Sequence, residues 1–232
     1  MCERYSLGKT QQDLESRYEA ELLDEFHPRY NIAPTQLLPV ITSDSPKGFS
    51  HFYWGITPDF AKNKPVSPKF INAPSETAPT KASTKSAFQK RRCIIPADGY
   101  YSWKRVGKKT KIPHRFTLED NSLFSFAGIW EEFENDKGGT NHTFLILTVP
   151  ANKINKEFGD RMPVIFTKDQ EKIWLDKYSS LDQLTETLLP YPTEQMLTYP
   201  VSPAVNQISV DAEYLIKRTS PMDQFGNYTL FG

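Results

Sequence analysis

Two rhythms of apolar residues run along the chain. Over 11–23, Leu14, Tyr18 and Leu22 recur at i, i+4 and i+8, which predicts a helix. Short runs rich in β-branched and aromatic residues at 37–42, 50–54, 92–95, 99–104, 114–119, 123–130 and 143–149 predict strands. Residues 84–91 predict a short basic helix. Thr167 followed by Gln170, and Ser180 followed by Gln183, have the spacing of a capping box and predict helices over 168–177 and 181–189. The stretch 56–83, rich in Pro, Ser, Thr and Lys, predicts a loop, and the last fifteen residues a tail. Strands and helices mix without a βαβ rhythm. This pattern predicts an α+β fold, with one domain over 1–220 and a C-terminal tail over 221–232.

Composition narrows the class. With 232 residues, 38% hydrophobic and 13% aromatic, the chain can bury a substantial core. No run approaches the roughly 18 apolar residues of a membrane helix, so no membrane partner is expected. The first 30 residues lack the basic, apolar and small-residue order of a signal peptide. Cys2 and Cys93 are the only cysteines, which argues against a disulfide framework and for a cytoplasmic protein, nucleoid-associated if bacterial. Cys93, inside RRCIIP, reads as a buried structural thiol. The histidines His27, His51, His114 and His142 are scattered without ligand spacing, so no metal is expected. No phosphate loop, dinucleotide fingerprint or GxSxG elbow occurs, so no cofactor is expected either.

Charge changes the picture. The net charge is zero, yet residues 61–115 carry 14 of the 28 Lys and Arg and only two acids, Glu76 and Asp98. An asymmetry of this size favours a polyanion partner over a merely solvated face.

The candidate chemistry lies at the start. If Met1 is removed, Cys2 presents an α-amine and a thiol on neighbouring carbons. The α-amine has a pKa of about 7.7–8.0 against about 10.4 for lysine, so roughly a tenth of it is neutral at pH 7. Such an amine condenses with an aldehyde to an imine. The adjacent thiol then closes onto the imine carbon to give a five-membered thiazolidine.

Seven further stretches occur in order: YNIAPTQLLPVI (30–41), WGITP (54–58), INAPSET (71–77), SAFQKRRCIIPADGYYSW (86–103), FAGIWE (126–131), DRMPVIF (160–166) and VSPAVN (201–206). With the initial Met-Cys they resemble the SRAP family, the abasic-site processing proteins of the SOS response, from residue 1 to about 206. The resemblance implies an α+β fold whose mixed and antiparallel sheets curl into a pseudo-barrel, with helices at its periphery. It also implies capture of abasic sites in single-stranded DNA, as a thiazolidine crosslink through the N-terminal cysteine. Family members are often labelled peptidases because the initial Met is removed.

Carried over by residue, Cys2 matches the nucleophile and Asn72 the active-site asparagine that orients it. Other positions depart from the family pattern. Pro74 stands where the family has an arginine, Ser102 where it has a proton-shuttling glutamate, and Gly159 where it has a histidine. Glu3 follows Cys2 where glycine is typical. Glu76, Asp98, Glu131 and Asp160 are candidate replacement carboxylates, and Arg161 in DRMP is the leading active-site cation, with a structural ion pair as its rival role. Trp54, Tyr100, Tyr101 and Trp103 are candidates to stack bases. Lys90, Arg91, Arg92, Lys104, Arg105, Lys108, Lys109 and Lys111 are candidates to track phosphates, and Asn206 to pin a loop or touch a ligand.

The leading expectation is a monomeric protein that captures abasic single-stranded DNA through Cys2. Two others compete with it: a DNA-binding paralogue that has lost the chemistry, and an N-terminal-nucleophile peptidase. Loss of general acid–base groups costs about 10²–10⁴-fold, which leaves the aminothiol's intrinsic reactivity in place.

Overall fold

The computed structural model describes residues 2–61, 66–134 and 138–229. In chain order its elements are β1 (Tyr5–Leu7), α1 (Gln11–Tyr18), β2 (Arg29–Ile32), β3 (Leu37–Thr42), β4 (Ser45–Trp54), α2 (Pro58–Ala61), β5 (Asn72–Pro74), α3 (Lys85–Lys90), β6 (Arg92–Ala97), β7 (Gly99–Val106), β8 (Thr110–Leu118), β9 (Phe124–Glu134), β10 (Thr140–Pro150), β11 (Arg161–Pro163), β12 (Ile165–Phe166), α4 (Lys168–Leu175), α5 (Leu181–Glu186) and β13 (Met196–Pro200).

One sheet closes on itself. β4 pairs β3, β3 pairs β6, β6 pairs β9 and β9 pairs β10, all antiparallel. β10 then returns to β4 in parallel, through Thr143 opposite Tyr53 and Phe144 opposite Trp54. The result is a five-stranded barrel, with β5, β11 and β12 added at its rim. The α+β class and the barrel expected from the resemblance are both present. Closure leaves the ring with no open edge. Its inward residues form a continuous core that includes Val40, Trp54, Ile95, Phe126 and Phe144. Gly128 is required where strands crowd: a β-carbon there would lie 2.3 Å from Ile95 Cδ1 and 2.8 Å from Cys93 Sγ.

The second sheet has the order β13-β8-β7-β1-β2 and packs against the barrel. Its β7 has two buried faces. Tyr100 joins the main core and stacks on Phe116 at 4.9 Å, whereas Tyr101 joins a second cluster with Val201, Val205 and Leu215. A buried polar network ties β1 to β7 and β8. Asp98 accepts from Ser6 Oγ, Gly8 N and Arg115 Nη2, at 2.6, 2.8 and 2.9 Å.

The helices α4 and α5 start where their caps predict, and α1 has a cap of the same kind that the sequence reading did not single out. Thr10, Thr167 and Ser180 each close a capping box with the residue three further on. The expected helix over 11–23 stops at Tyr18, because Glu19 turns left-handed (φ 50°) and Glu15 Oε1 takes the N–H of Leu22. Arg17 then docks α1 on α4 through a bidentate pair with Glu171, at 2.8 and 3.1 Å.

Two stretches hold more structure than their composition predicts. Within 56–83, β5 lies parallel to β10, with Asn72 opposite Ile146. Residues 62–65 of that stretch lie outside the described residues. In the expected tail, Gln224 donates to Lys109 O and accepts from Lys111 N, which fastens it to the β7–β8 hairpin. Residues 230–232 lie outside the described residues.

Candidate active site

Cys2 lies at the entry to β1, against the rim of the barrel, and is buried. Its carbonyl accepts a 2.8 Å hydrogen bond from Asn72 Nδ2, seventy residues away. Asn72 is itself placed by two neighbours. β10 holds its strand, and the Trp54 indole N–H donates to Ile71 O just before it. The other amide atom, Asn72 Oδ1, is buried without a hydrogen-bond partner. Such an orphaned acceptor costs about 1–3 kcal/mol unless something fills it. The structure thus brings the two central residues of the sequence reading together and leaves one polar valence open beside them.

The thiol is not an activated one. Burial pushes the Cys2 pKa up to about 12, and the nearest acceptor is the Arg4 carbonyl, 3.9 Å away. A thiol peptidase needs the opposite arrangement, a thiolate stabilised by a cation or a base. Two tyrosines of the same core, Tyr5 and Tyr100, have pKa values raised well above normal by burial. Tyr100 donates to Asn155 Oδ1 at 2.5 Å, while the Tyr5 hydroxyl has no partner.

Ser102 sits half-buried on β7, directly opposite His114 on β8. His114 is buried, with Nδ1 3.1 Å from Ile112 O and its ring 4.9 Å from that of Phe158. Burial lowers its pKa, so the imidazole is neutral at pH 7. Gly159 follows Phe158 and has open space around it: a β-carbon there meets nothing within 4 Å, and its φ lies outside the positive range.

The remaining candidates divide sharply. Arg161 does not pair with Asp160. It makes a bidentate bridge to Glu76, at 2.7 and 3.1 Å, and two further bonds to Thr148. These four bonds commit the guanidinium to clamping the turn after β5 onto β10 and β11. Asp160 is exposed and paired with Lys156 at 2.9 Å, which lowers its pKa. Pro74 is exposed on β5 and, with Asn72, Lys69, Phe70 and Lys81, lines a cavity of about 580 Å³.

Several expected DNA contacts are structural instead. Trp54 is fully buried in the barrel, and Tyr100 and Tyr101 are buried on the two faces of β7, so none of them can stack on a base. Arg92 is buried too, its guanidinium making four hydrogen bonds to a cage of carbonyls: Trp174 O, Asp176 O, Phe88 O and Gln89 O. Arg91 is engaged with Glu131, and Lys104 with Glu157 at 3.1 Å. Trp103 donates its indole N–H to Asn206 Oδ1 at 2.8 Å, so Asn206 pins the 201–206 loop to β7.

Lys90 is exposed at the end of α3. Arg105, Lys108, Lys109 and Lys111 are exposed at the tip of the β7–β8 hairpin, with Arg105 directly opposite Lys111, and make no ion pair among the described residues. Part of the basic excess of the sequence therefore sits, exposed, at the tip of this hairpin. Replacing Lys108 and Lys109 by Glu is expected to weaken binding of an intact single strand. It should also flatten the salt dependence, because each phosphate contact contributes about −0.7 to the slope of log K against log salt. Fluorescence anisotropy across a salt series measures both; an unchanged affinity and slope would mark the hairpin tip as a solvated face.

Two polar groups of this region have little signal in the sequence. Arg4 donates to Asn31 Oδ1 (2.9 Å) and to Val205 O (3.1 Å), and its Nε is buried without a partner. Only its nearness to Cys2 in the chain could have pointed to it. Asn155 joins Tyr100 through a contact 55 residues apart, for which sequence carries no cue.

A barrel rim that holds an N-terminal Cys-Asn pair defines a recognisable class. The model of the SRAP family, SOS response associated peptidase, matches residues 1–208, and the chain belongs to that family. It is 37% identical over 222 residues to the abasic site processing protein YoqW of Bacillus subtilis, covering 94% of this chain and 99% of that one. To the abasic site processing protein YedK of Escherichia coli it is 28% identical over 226 residues, again 94% and 99% of the two chains. An X-ray crystal structure of a protein from Bacteroides thetaiotaomicron superposes with a TM-score of 0.83 at 26% identity, covering 94% of this chain and all of that one. Among the described residues, no group of three or more His, Cys, Asp or Glu side chains is placed to hold a metal ion.

Proposed function

We propose that this protein acts on abasic sites in DNA and captures them covalently through Cys2, once Met1 has been removed, as a thiazolidine on single-stranded DNA. Met1 lies outside the described residues. The hydrogen bond from Asn72 to the Cys2 carbonyl carries the reading. It fixes the backbone that bears both the amine and the thiol, and a fixed nucleophile gains from proximity what it lacks in acidity. The abasic site processing names of relatives that match nearly the whole chain supply the substrate class. A protonated thiol is compatible with this chemistry. The amine, not the sulfur, makes the first attack, and sulfur closes the ring afterwards.

The test is intact-mass analysis of protein beginning at Cys2, before and after incubation with an abasic single-stranded oligonucleotide. The expected product has the mass of protein plus oligonucleotide less one water. A single observation favours the rival reading of a non-catalytic binder: neither Ser102 nor Gly159 carries a titratable group. Retained binding of the abasic strand with no covalent product would establish that rival.

A further inference from the structure

The condensation proposed above moves protons three times, and the carboxylates that the sequence suggested for this work are all occupied. Glu76 is held by Arg161, Asp98 by Arg115, Glu131 by Arg91 and Asp160 by Lys156. The buried hydroxyls of Tyr5 and Tyr100 hold their protons too tightly to exchange them near neutral pH. His114 is buried behind Phe158, with Nδ1 engaged by Ile112 O.

A carboxylate that is free among the described residues lies directly beside Cys2 in the chain. β1 and β7 pair with Tyr5 opposite Tyr100 and Ser6 opposite Gly99, and the Tyr101 N–H donates to Arg4 O at 3.0 Å. That register brings the next residue, Glu3, opposite Ser102. Directly opposed residues of an antiparallel pair share one face of the sheet, with Cβ atoms about 4.5–5.5 Å apart. Glu3 is exposed and makes no hydrogen bond or ion pair among the described residues.

We propose that Glu3 is the general acid–base of the capture reaction, its carboxylate reaching the reacting atoms from the position across the strand pair from Ser102. The inference rests on the aminothiol reading above. After burial, the opposing charge of the N-terminus and the Arg4 carbonyl bond, Glu3 is a further influence on the Cys2 thiol, and it also acts on Arg4, so its charge is felt at the site.

The steps balance. The amine nitrogen adds to the aldehyde carbon, and the carbon–oxygen π pair goes to oxygen. Glu3 carries one N–H proton from nitrogen to that oxygen, giving the carbinolamine. In its acid form Glu3 gives a proton to the hydroxyl, which leaves as water, and the carbon–nitrogen double bond forms. Sulfur then bonds to the same carbon, the C=N π pair returns to nitrogen, and the carboxylate takes the thiol proton. One water is lost and Glu3 ends in the acid form in which it began the dehydration.

The experiment is single-turnover crosslinking to an abasic single strand with wild type, Glu3→Gln, and Glu3→Gln combined with Ser102→Glu, all beginning at Cys2. Glu3→Gln is expected to slow adduct formation about 10²-fold, the lower end of a general acid–base contribution, without weakening binding of an intact strand. Ser102→Glu in that background is expected to recover at least tenfold of the rate, since it returns a carboxylate to the same opposed pair. Added acetate should accelerate Glu3→Gln more than wild type. Wild-type rates from Glu3→Gln would overturn the role of Glu3 while leaving the capture reading intact. A slowed Glu3→Gln that neither Ser102→Glu nor acetate restores would mark Glu3 as structural. Absence of any adduct with wild type would overturn the capture reading and this inference together.

Discussion

Protein that retains Met1 should form no stable adduct with an abasic strand, and Cys2→Ser should form at most a labile one. The two losses have different causes. Acylation of the Cys2 nitrogen turns an amine into an amide, whose lone pair is delocalised and cannot open the reaction. Serine leaves the amine free, so an imine still forms, but a hydroxyl closes the ring far less readily than sulfur. The internal thiol acts at an effective concentration on the order of 10⁵ M or more, and nothing in bulk solution replaces it. Asn72 adds to this by holding the Cys2 carbonyl at 2.8 Å, so the amine and thiol share one fixed backbone. Denaturing gels run after heating, with the adduct confirmed by mass, separate the outcomes. A heat-stable product from Cys2→Ser would point to a different nucleophile.

Asp98→Asn should destabilise the protein by about 3–5 kcal/mol, the cost of stranding one partner of a buried ion pair. Asp98 and Arg115 are both buried, and Arg115 Nη2 reaches Asp98 Oδ1 at 2.9 Å. Burial opposes the charge of Arg115, and the Asp98 carboxylate together with Tyr199 and Tyr101 outweighs it, so its pKa is raised. The amide would keep the shape and some hydrogen bonds but leave the guanidinium without a countercharge. For a chain of this size the melting temperature should fall by about 10 °C, at roughly 2–4 °C per kcal/mol. Combining Asp98→Asn with Arg115→Gln should cost less than the sum of the single changes, because neither charge is then stranded. Additive losses in thermal and urea melts would show that the two charges are not coupled. Since Ser6 and Gly8 also bond to Asp98, the change should loosen β1 and, through it, the placement of Cys2.

The local rules were largely legible along the chain. Thr167 with Gln170 and Ser180 with Gln183 start helices where they stand, because a capping box is satisfied by residues three apart. The strands over 37–42 and 92–97 follow runs of β-branched residues. Cys2 and Asn72, singled out seventy residues apart, meet in one hydrogen bond. Other readings failed for a common reason. In RRCIIP, Arg91 and Arg92 are the same residue type side by side. Alternation along β6 puts Arg92 on the face opposite Ile95, where it meets carbonyls of Trp174 in α4 and Asp176 at its end, more than eighty residues away. Trp54 looks like a surface aromatic until β10 returns to β4 and encloses it.

What the sequence determined by itself was therefore what neighbours in the chain decide: element type, helix starts, a cysteine directly behind Met1 and the concentration of positive charge in 61–115. Only the tertiary structure decided which of those charges face solvent, which carboxylates are already paired, and that Glu3 stands across from Ser102. Burial, ion pairing and strand register are set by groups distant in sequence, and no local pattern encodes their distance in space.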